Sequence, residues 1–151
     1  MDLGVVLGVI GAAVSFGAAG LGCGVALGRA GQAAAGVIAE DPRKFGQALV
    51  LQAVGTTSGI YGLLMGFLIL NKAQMVTDIP TGLVLLAAGV LMGVVGCFVT
   101  IEQGKTMVAG IILIGKRSGE MAKALIIIAM VETIQIFALL FSFLIYYSVK
   151  V

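Results

Sequence analysis

Glu132 stands inside the apolar run Ala129-Met130-Val131-Glu132-Thr133-Ile134. A charged side chain at the centre of a membrane helix is unfavourable by ~2.5–3.5 kcal/mol on insertion scales, so an ionisable group placed there marks a functional site by default. The chain contains no histidine, which excludes a histidine-ligated metal and a histidine general base. The chemistry open to Glu132 is therefore set by the oxygen and amide groups at its own depth. The polar stretch around Ser118 separates two apolar segments. Glu132 lies about 14 residues beyond it and Gln103 about 15 before it, so on antiparallel helices both sit ~22 Å from the turn. Thr56 and its neighbours lie as far from an earlier break near Pro42.

The segment around Thr56 carries an ordered face. Val54, Thr57, Ser58 and Tyr61 are spaced i, i+3, i+4 and i+7, which lines one side of a helix. That face offers two hydroxyls, a phenol and a backbone carbonyl at Val54. The segment before Ser118 adds the Gln103 amide, with Thr100 and Thr106 nearby. The segment after it adds Glu132, Thr133 and Gln135. Oxygen ligands around one carboxylate suit a hard cation. A protonated glutamate fits as well, because desolvation raises a carboxyl pKa. The competing structural role for Thr57, Ser58 and Gln103 is back-bonding to their own helix or binding two helices together. Glu102 has two readings: a second, protonated carboxylate in the cluster, or a group facing a neighbouring subunit or a water-filled lumen.

The elements that must position these groups are membrane helices. The chain has 151 residues, of which 60% are apolar and 11% charged, and a mean hydropathy of +1.18. An ordinary soluble domain carries about 25% charged residues. Long apolar runs imply membrane spans, and the pattern predicts an all-α membrane protein with four. The expected helices cover about 3–38, 45–70, 81–114 and 120–147. They are separated by Glu40-Asp41-Pro42-Arg43, by the stretch from Asn71-Lys72 to Asp78-Ile79-Pro80, and by Gly115-Lys116-Arg117-Ser118-Gly119. The first and third, at roughly 35 residues or ~50 Å, exceed a hydrocarbon core of ~30 Å and are expected to project beyond the bilayer.

Arg29, Arg43, Lys44, Lys105, Lys116, Arg117 and Lys123 cluster about the first and third connections, against Lys72 and Lys150 on the other side. The positive-inside rule then places loops 1 and 3 in the cytoplasm and both termini outside. Met1-Asp2-Leu3 has no basic n-region, so no cleaved signal is expected. A net charge of +2 is too small to suggest a nucleic-acid partner. Cys23 and Cys97 both fall within apolar spans, where free cysteine packs as a small hydrophobe.

The two halves, 1–75 and 76–151, align at an offset of 76. Gly62-Leu63-Leu64-Met65-Gly66-Phe67-Leu68-Ile69 matches Ala138-Leu139-Leu140-Phe141-Ser142-Phe143-Leu144-Ile145, and Thr57 matches Thr133. A duplicated two-helix hairpin in parallel orientation follows. Glu132 aligns with Thr56, so one carboxylate serves four helices. The first helix carries Gly4, Gly8, Gly11, Gly17, Gly20, Gly22, Gly24, Gly28, Gly31 and Gly36. Small residues on several faces suit close neighbours on both sides, as in the inner wall of a ring, or close packing within one bundle. Gly20-Leu21-Gly22-Cys23-Gly24 follows no strand and lacks a Lys-Ser/Thr partner, so it is not a phosphate loop.

Over essentially its whole length the sequence resembles the proteolipids of V-type rotary ATPases, the chains that build the membrane rotor. The resemblance is carried by Phe45-Gly46-Gln47-Ala48-Leu49, Gly59-Ile60-Tyr61-Gly62, Glu102-Gln103-Gly104-Lys105, Ala129-Met130-Val131-Glu132-Thr133 and the Gly-rich first helix. It implies a homo-oligomeric rotor ring, with Glu132 carrying one coupling ion. It also implies a stator membrane subunit whose arginine displaces that ion, and central-stalk subunits at the cytoplasmic loops. Such a subunit is not catalytic alone and has no cofactor. The sodium-transporting bacterial members imply a sodium site from Glu132, Gln103, Thr57 and the Val54 carbonyl. In that pattern Tyr61 orients the carboxylate and Thr133 follows it. This chain departs by the extra Glu102 and at Ser58, where that pattern has glutamine; Ser58 is expected among the ion-binding residues, its shorter side chain reaching the ion through water. Sodium is favoured over the proton as coupling ion, in a prokaryotic cell membrane. The competing function is a small secondary transporter with one essential membrane carboxylate. The chain has no tryptophan and a Gly/Ala-rich first helix, a poor lining for an organic substrate.

Overall fold

The computed structural model describes residues 2–149. Lys150, counted above in the charge asymmetry, lies outside the described residues. Helix α1 runs Leu3–Glu40, α2 Phe45–Ala53, α3 Thr57–Ala73, α4 Ile79–Lys116 and α5 Met121–Ser148. Short 3₁₀ turns at Pro42–Lys44 and Val54–Thr56 precede α2 and α3. Helices α2 and α3 together form one span, Pro42–Ala73, so four spans are long and apolar enough to cross a bilayer. No strand occurs among the described residues. The protein is an integral, multi-pass, all-α membrane protein.

The local signals explain the boundaries. Asp78 caps α4 by accepting from the Thr81 N–H at 2.9 Å. Pro80 sits in the first turn of α4, where a missing N–H leaves no intrahelical bond unmade. Proline here opens a helix, so α4 begins two residues earlier than expected and α3 extends through Asn71 and Lys72. Pro42 likewise opens the turn that Asp41 caps through the Arg43 N–H. Gly119 adopts φ 92° in the third connection, a left-handed conformation that favours glycine. At 38 residues each, α1 and α4 are ~57 Å long.

Helices α1 and α4 form the central pair, with α3 packed on α1 and α5 on α4. Small residues set how closely that pair approaches. A Cβ on Gly11 would fall 2.8 Å from the backbone of Leu85 and Leu86, and one on Gly104 2.7 Å from Ala26 Cα. Serines tie each hairpin within the apolar phase. Ser15 Oγ donates to the Gly62 carbonyl at 3.0 Å, and Ser142 Oγ to the Ala88 carbonyl at 2.6 Å. The ends are tied as well. Lys44 Nζ donates to Ser118 Oγ at 3.1 Å, joining loops 1 and 3. At the opposite end Lys72 Nζ donates to the Tyr146 carbonyl at 3.1 Å. Large apolar side chains such as Leu21, Phe67, Phe98, Met130 and Phe137 cover the outside, a surface suited to lipid or to further copies of the chain rather than to water.

Candidate ion-binding site

The span formed by α2 and α3 does not continue as one α-helix through its polar face. It tightens at Val54–Thr56, and four local features converge there. Thr56 Oγ1 donates back to the Ala53 carbonyl at 2.7 Å, and Thr57 Oγ1 to the Val54 carbonyl at 2.8 Å. The Cys23 thiol of α1 donates to the Gly55 carbonyl at 3.2 Å. Gly55 itself lies under Met107, where a Cβ would meet the methionine methyl at 2.8 Å. Hydroxyls that bond back to the preceding turn compete with the regular ladder, and a short 3₁₀ stretch inside a long helix often marks a functional position. Thr57 spends its hydroxyl proton on the Val54 carbonyl, which also accepts the Thr57 N–H, so the lone pairs of the Thr57 hydroxyl remain for a further partner.

Across from this turn, the Tyr61 hydroxyl of α3 donates to Glu132 Oε1 of α5 at 3.2 Å. Both side chains are half-buried. Gln103 of α4 is fully buried, and neither its Oε1 nor its Nε2 has a partner. Ser58, Thr100 and Gln135 are also fully buried and form one hydrogen-bonded group. Gln135 Nε2 donates to Ser58 Oγ at 2.8 Å and to the Gly96 carbonyl at 3.2 Å, and also bonds Thr100 Oγ1. Ser58 Oγ donates to the same Gly96 carbonyl at 3.3 Å.

The expected residues thus divide. Tyr61 and Glu132 are brought into contact, and Thr57 and Val54 pair on the tightened turn. Ser58 turns away from that turn and into the group around Gln135. Thr133 is exposed, its hydroxyl bonded back to the Met130 carbonyl at 2.8 Å. Thr106 is bonded back to the Gln103 carbonyl at 2.7 Å. Glu102 is not gathered in: its side chain is 61% exposed and pairs with Lys105 at 2.6 Å, on the flank where Arg29, Gln32 and Lys105 of α1 and α4 line a shallow groove. Thr56, the counterpart of Glu132 in the repeat, is exposed. Among the described residues, no three His, Cys, Asp or Glu side chains converge.

The family of ATP synthase C subunits matches residues 10–69 and again 86–145, two stretches displaced by the 76 residues that separate the sequence halves. The chain belongs to the ATP synthase C-subunit family. Among its relatives, the V-type sodium ATPase subunit K of Enterococcus hirae is 37% identical over 141 residues, covering 93% of this chain and 90% of that one. The A-type ATP synthase subunit K of Methanocaldococcus jannaschii is 38% identical over 139 residues, covering 92% of this chain and 61% of that longer one. Each match to the family covers one hairpin, so the duplication belongs to the family relationship itself, and both relatives are of the V or A type.

Proposed function

We propose that this chain is a rotor-ring subunit of a V/A-type rotary ATPase and carries one sodium ion per chain on Glu132. The observations that carry the reading are the Tyr61–Glu132 hydrogen bond and a fully buried, unpartnered Gln103 amide on α4, about as far from loop 3 as Glu132. One carboxylate supplies one negative charge, which a monovalent cation neutralises. Neutral oxygens at Val54, Thr57 and Gln103 suit a hard ion such as sodium. The sodium ATPase named among the relatives supports sodium over the proton.

In this reading the ion-loaded site is electrically neutral and crosses the apolar phase with the turning ring. Tyr61 holds the carboxylate toward α3, and the Thr57 hydroxyl and Val54 carbonyl cover the ion on the side of that helix. A stator arginine displaces the ion from Glu132 as the subunit passes. Loops 1 and 3, joined by Lys44 and Ser118 and flanked by most of the basic residues, face the cytoplasm and a central stalk. That stalk couples rotation to ATP hydrolysis or synthesis in a soluble head. With threonine at position 56, each four-helix chain moves one ion, so fewer ions pass per turn for a given number of helices. That ratio suits a pump working against a steep gradient.

The test is ATP-driven uptake of radioactive sodium into vesicles holding the whole complex. Uptake that persists with a protonophore and is lost in Glu132→Gln supports the reading. Uptake abolished by the protonophore assigns the proton as coupling ion.

A further inference from the structure

Three buried side-chain polar atoms among the described residues lack a partner: Gln103 Oε1, Gln103 Nε2 and Gln135 Oε1. Buried polar groups are almost always hydrogen-bonded, so each exception calls for a reason. These exceptions lie within about one turn of each other in depth along the packed helices α4 and α5. Gln135 lies three residues beyond Glu132 on α5, and Thr100 three residues before Gln103 on the antiparallel α4. The pair Thr100–Gln135 is therefore one turn, ~4.5 Å, from the level of Gln103 and Glu132.

The Gly96 carbonyl favours one orientation of the Gln135 amide. Its nitrogen faces the Gly96 carbonyl at 3.2 Å, which accepts but cannot donate. Exchanging the amide oxygen and nitrogen would set two acceptors against each other. Ser58 and Thr100 hydroxyls hold the same nitrogen. Oε1 is thus directed away from the Ser58–Thr100–Gly96 group, fully buried, and without a donor. A desolvated acceptor oxygen is the ligand type a hard cation takes.

We propose that Gln135 Oε1 is a ligand of the coupling cation, presented by Ser58, Thr100 and the Gly96 carbonyl. This rests on the sodium reading above. Ser58 then acts as a positioning residue: its short hydroxyl holds the amide that reaches the ion from α5. The polar set around the ion draws on α3, α4 and α5 together, and the α5 contribution is two groups rather than one.

The experiment is equilibrium binding of radioactive sodium to the detergent-purified ring, with oligomer mobility recorded in parallel. Gln135→Met keeps the side-chain volume and removes the oxygen. Gln135→Asn keeps the amide and withdraws it by one methylene. The half-saturating sodium concentration is expected to rise about tenfold or more in Gln135→Met, and several-fold in Gln135→Asn and Ser58→Ala. Mobility should stay unchanged and the lithium-to-sodium preference should shift, which a packing defect would not produce. Either Gln135 variant, assembled and binding sodium like the parent, would overturn the ligand role while leaving Glu132 as the ion carrier. A parent ring that binds no sodium would overturn the sodium reading itself, and the ligand role with it.

Discussion

The Tyr61 hydroxyl donates to Glu132 Oε1 at 3.2 Å, linking the second span of the first hairpin to the last helix of the second. Helices α3 and α5 touch little along their length, and this bond, the Ser58–Gln135 bond and the Lys72–Tyr146 bond join them through polar groups. Removing the hydroxyl by Tyr61→Phe keeps the ring and frees the carboxylate. A hydrogen bond to a charged group contributes ~1.5–3 kcal/mol, and exposure of the pair places the effect near the low end. Sodium affinity of the purified ring is expected to fall about tenfold, measured by equilibrium binding.

Glu102→Gln is expected to leave ion binding within about twofold of the parent. Its carboxylate is exposed and pairs with Lys105 on the same helix, and exposed ion pairs contribute ~0–1 kcal/mol. Binding lost in this variant would return Glu102 to the site.

The α1–α4 pair should tolerate no added bulk. In Gly11→Leu the new side chain meets the backbone of Leu85 and Leu86, and in Gly104→Leu that of Ala26. Overpacking typically costs ~1–3 kcal/mol, and backbone neighbours relieve it poorly. Reduced yield of the detergent-resistant oligomer and a lower melting temperature are expected for both.

The caps give a pH dependence. Asp78 is held below the usual carboxylate range by the Thr81 N–H, and Asp41 by the Arg43 side chain and N–H. Carboxyls lowered in the folded state stabilise fully above their unfolded pKa of about 4 and lose that contribution as pH falls through the lowered value. Melting of the purified ring should therefore show no loss from these two groups between pH 7 and about pH 5. Asp78→Ala should lower stability at neutral pH and flatten the acid limb below it.

Much of the architecture is legible because the membrane imposes a simple demand. Apolar runs bounded by Pro42, Pro80 and Gly119 leave little choice but four helices, and the offset of 76 exposes the duplication. What escapes is geometry that pattern does not encode. Pro80 reads as a breaker in sequence and serves as a helix start. The turn at Val54–Thr56 depends on Cys23 and Met107, distant in the chain. Depth alone singles out Gln103 and Glu132, since antiparallel helices make counting from a turn a measure of level. The i+4 spacing from Val54 puts Ser58 on the site's face. Its real partners lie on α4 and α5, and the sequence signal for them is that Thr100 and Gln135 each fall one turn from Gln103 or Glu132. Thr133 aligns with Thr57 yet points outward, because the halves differ in what packs beside them.

The most direct test is carbodiimide labelling of the detergent-purified ring across pH, with and without sodium. The reagent modifies protonated carboxyls in apolar surroundings, and Glu132 is the group placed to react. Labelling at Glu132 that sodium suppresses is the predicted result. Labelling indifferent to sodium at every pH would contradict the account and leave a proton as the ion that Glu132 carries.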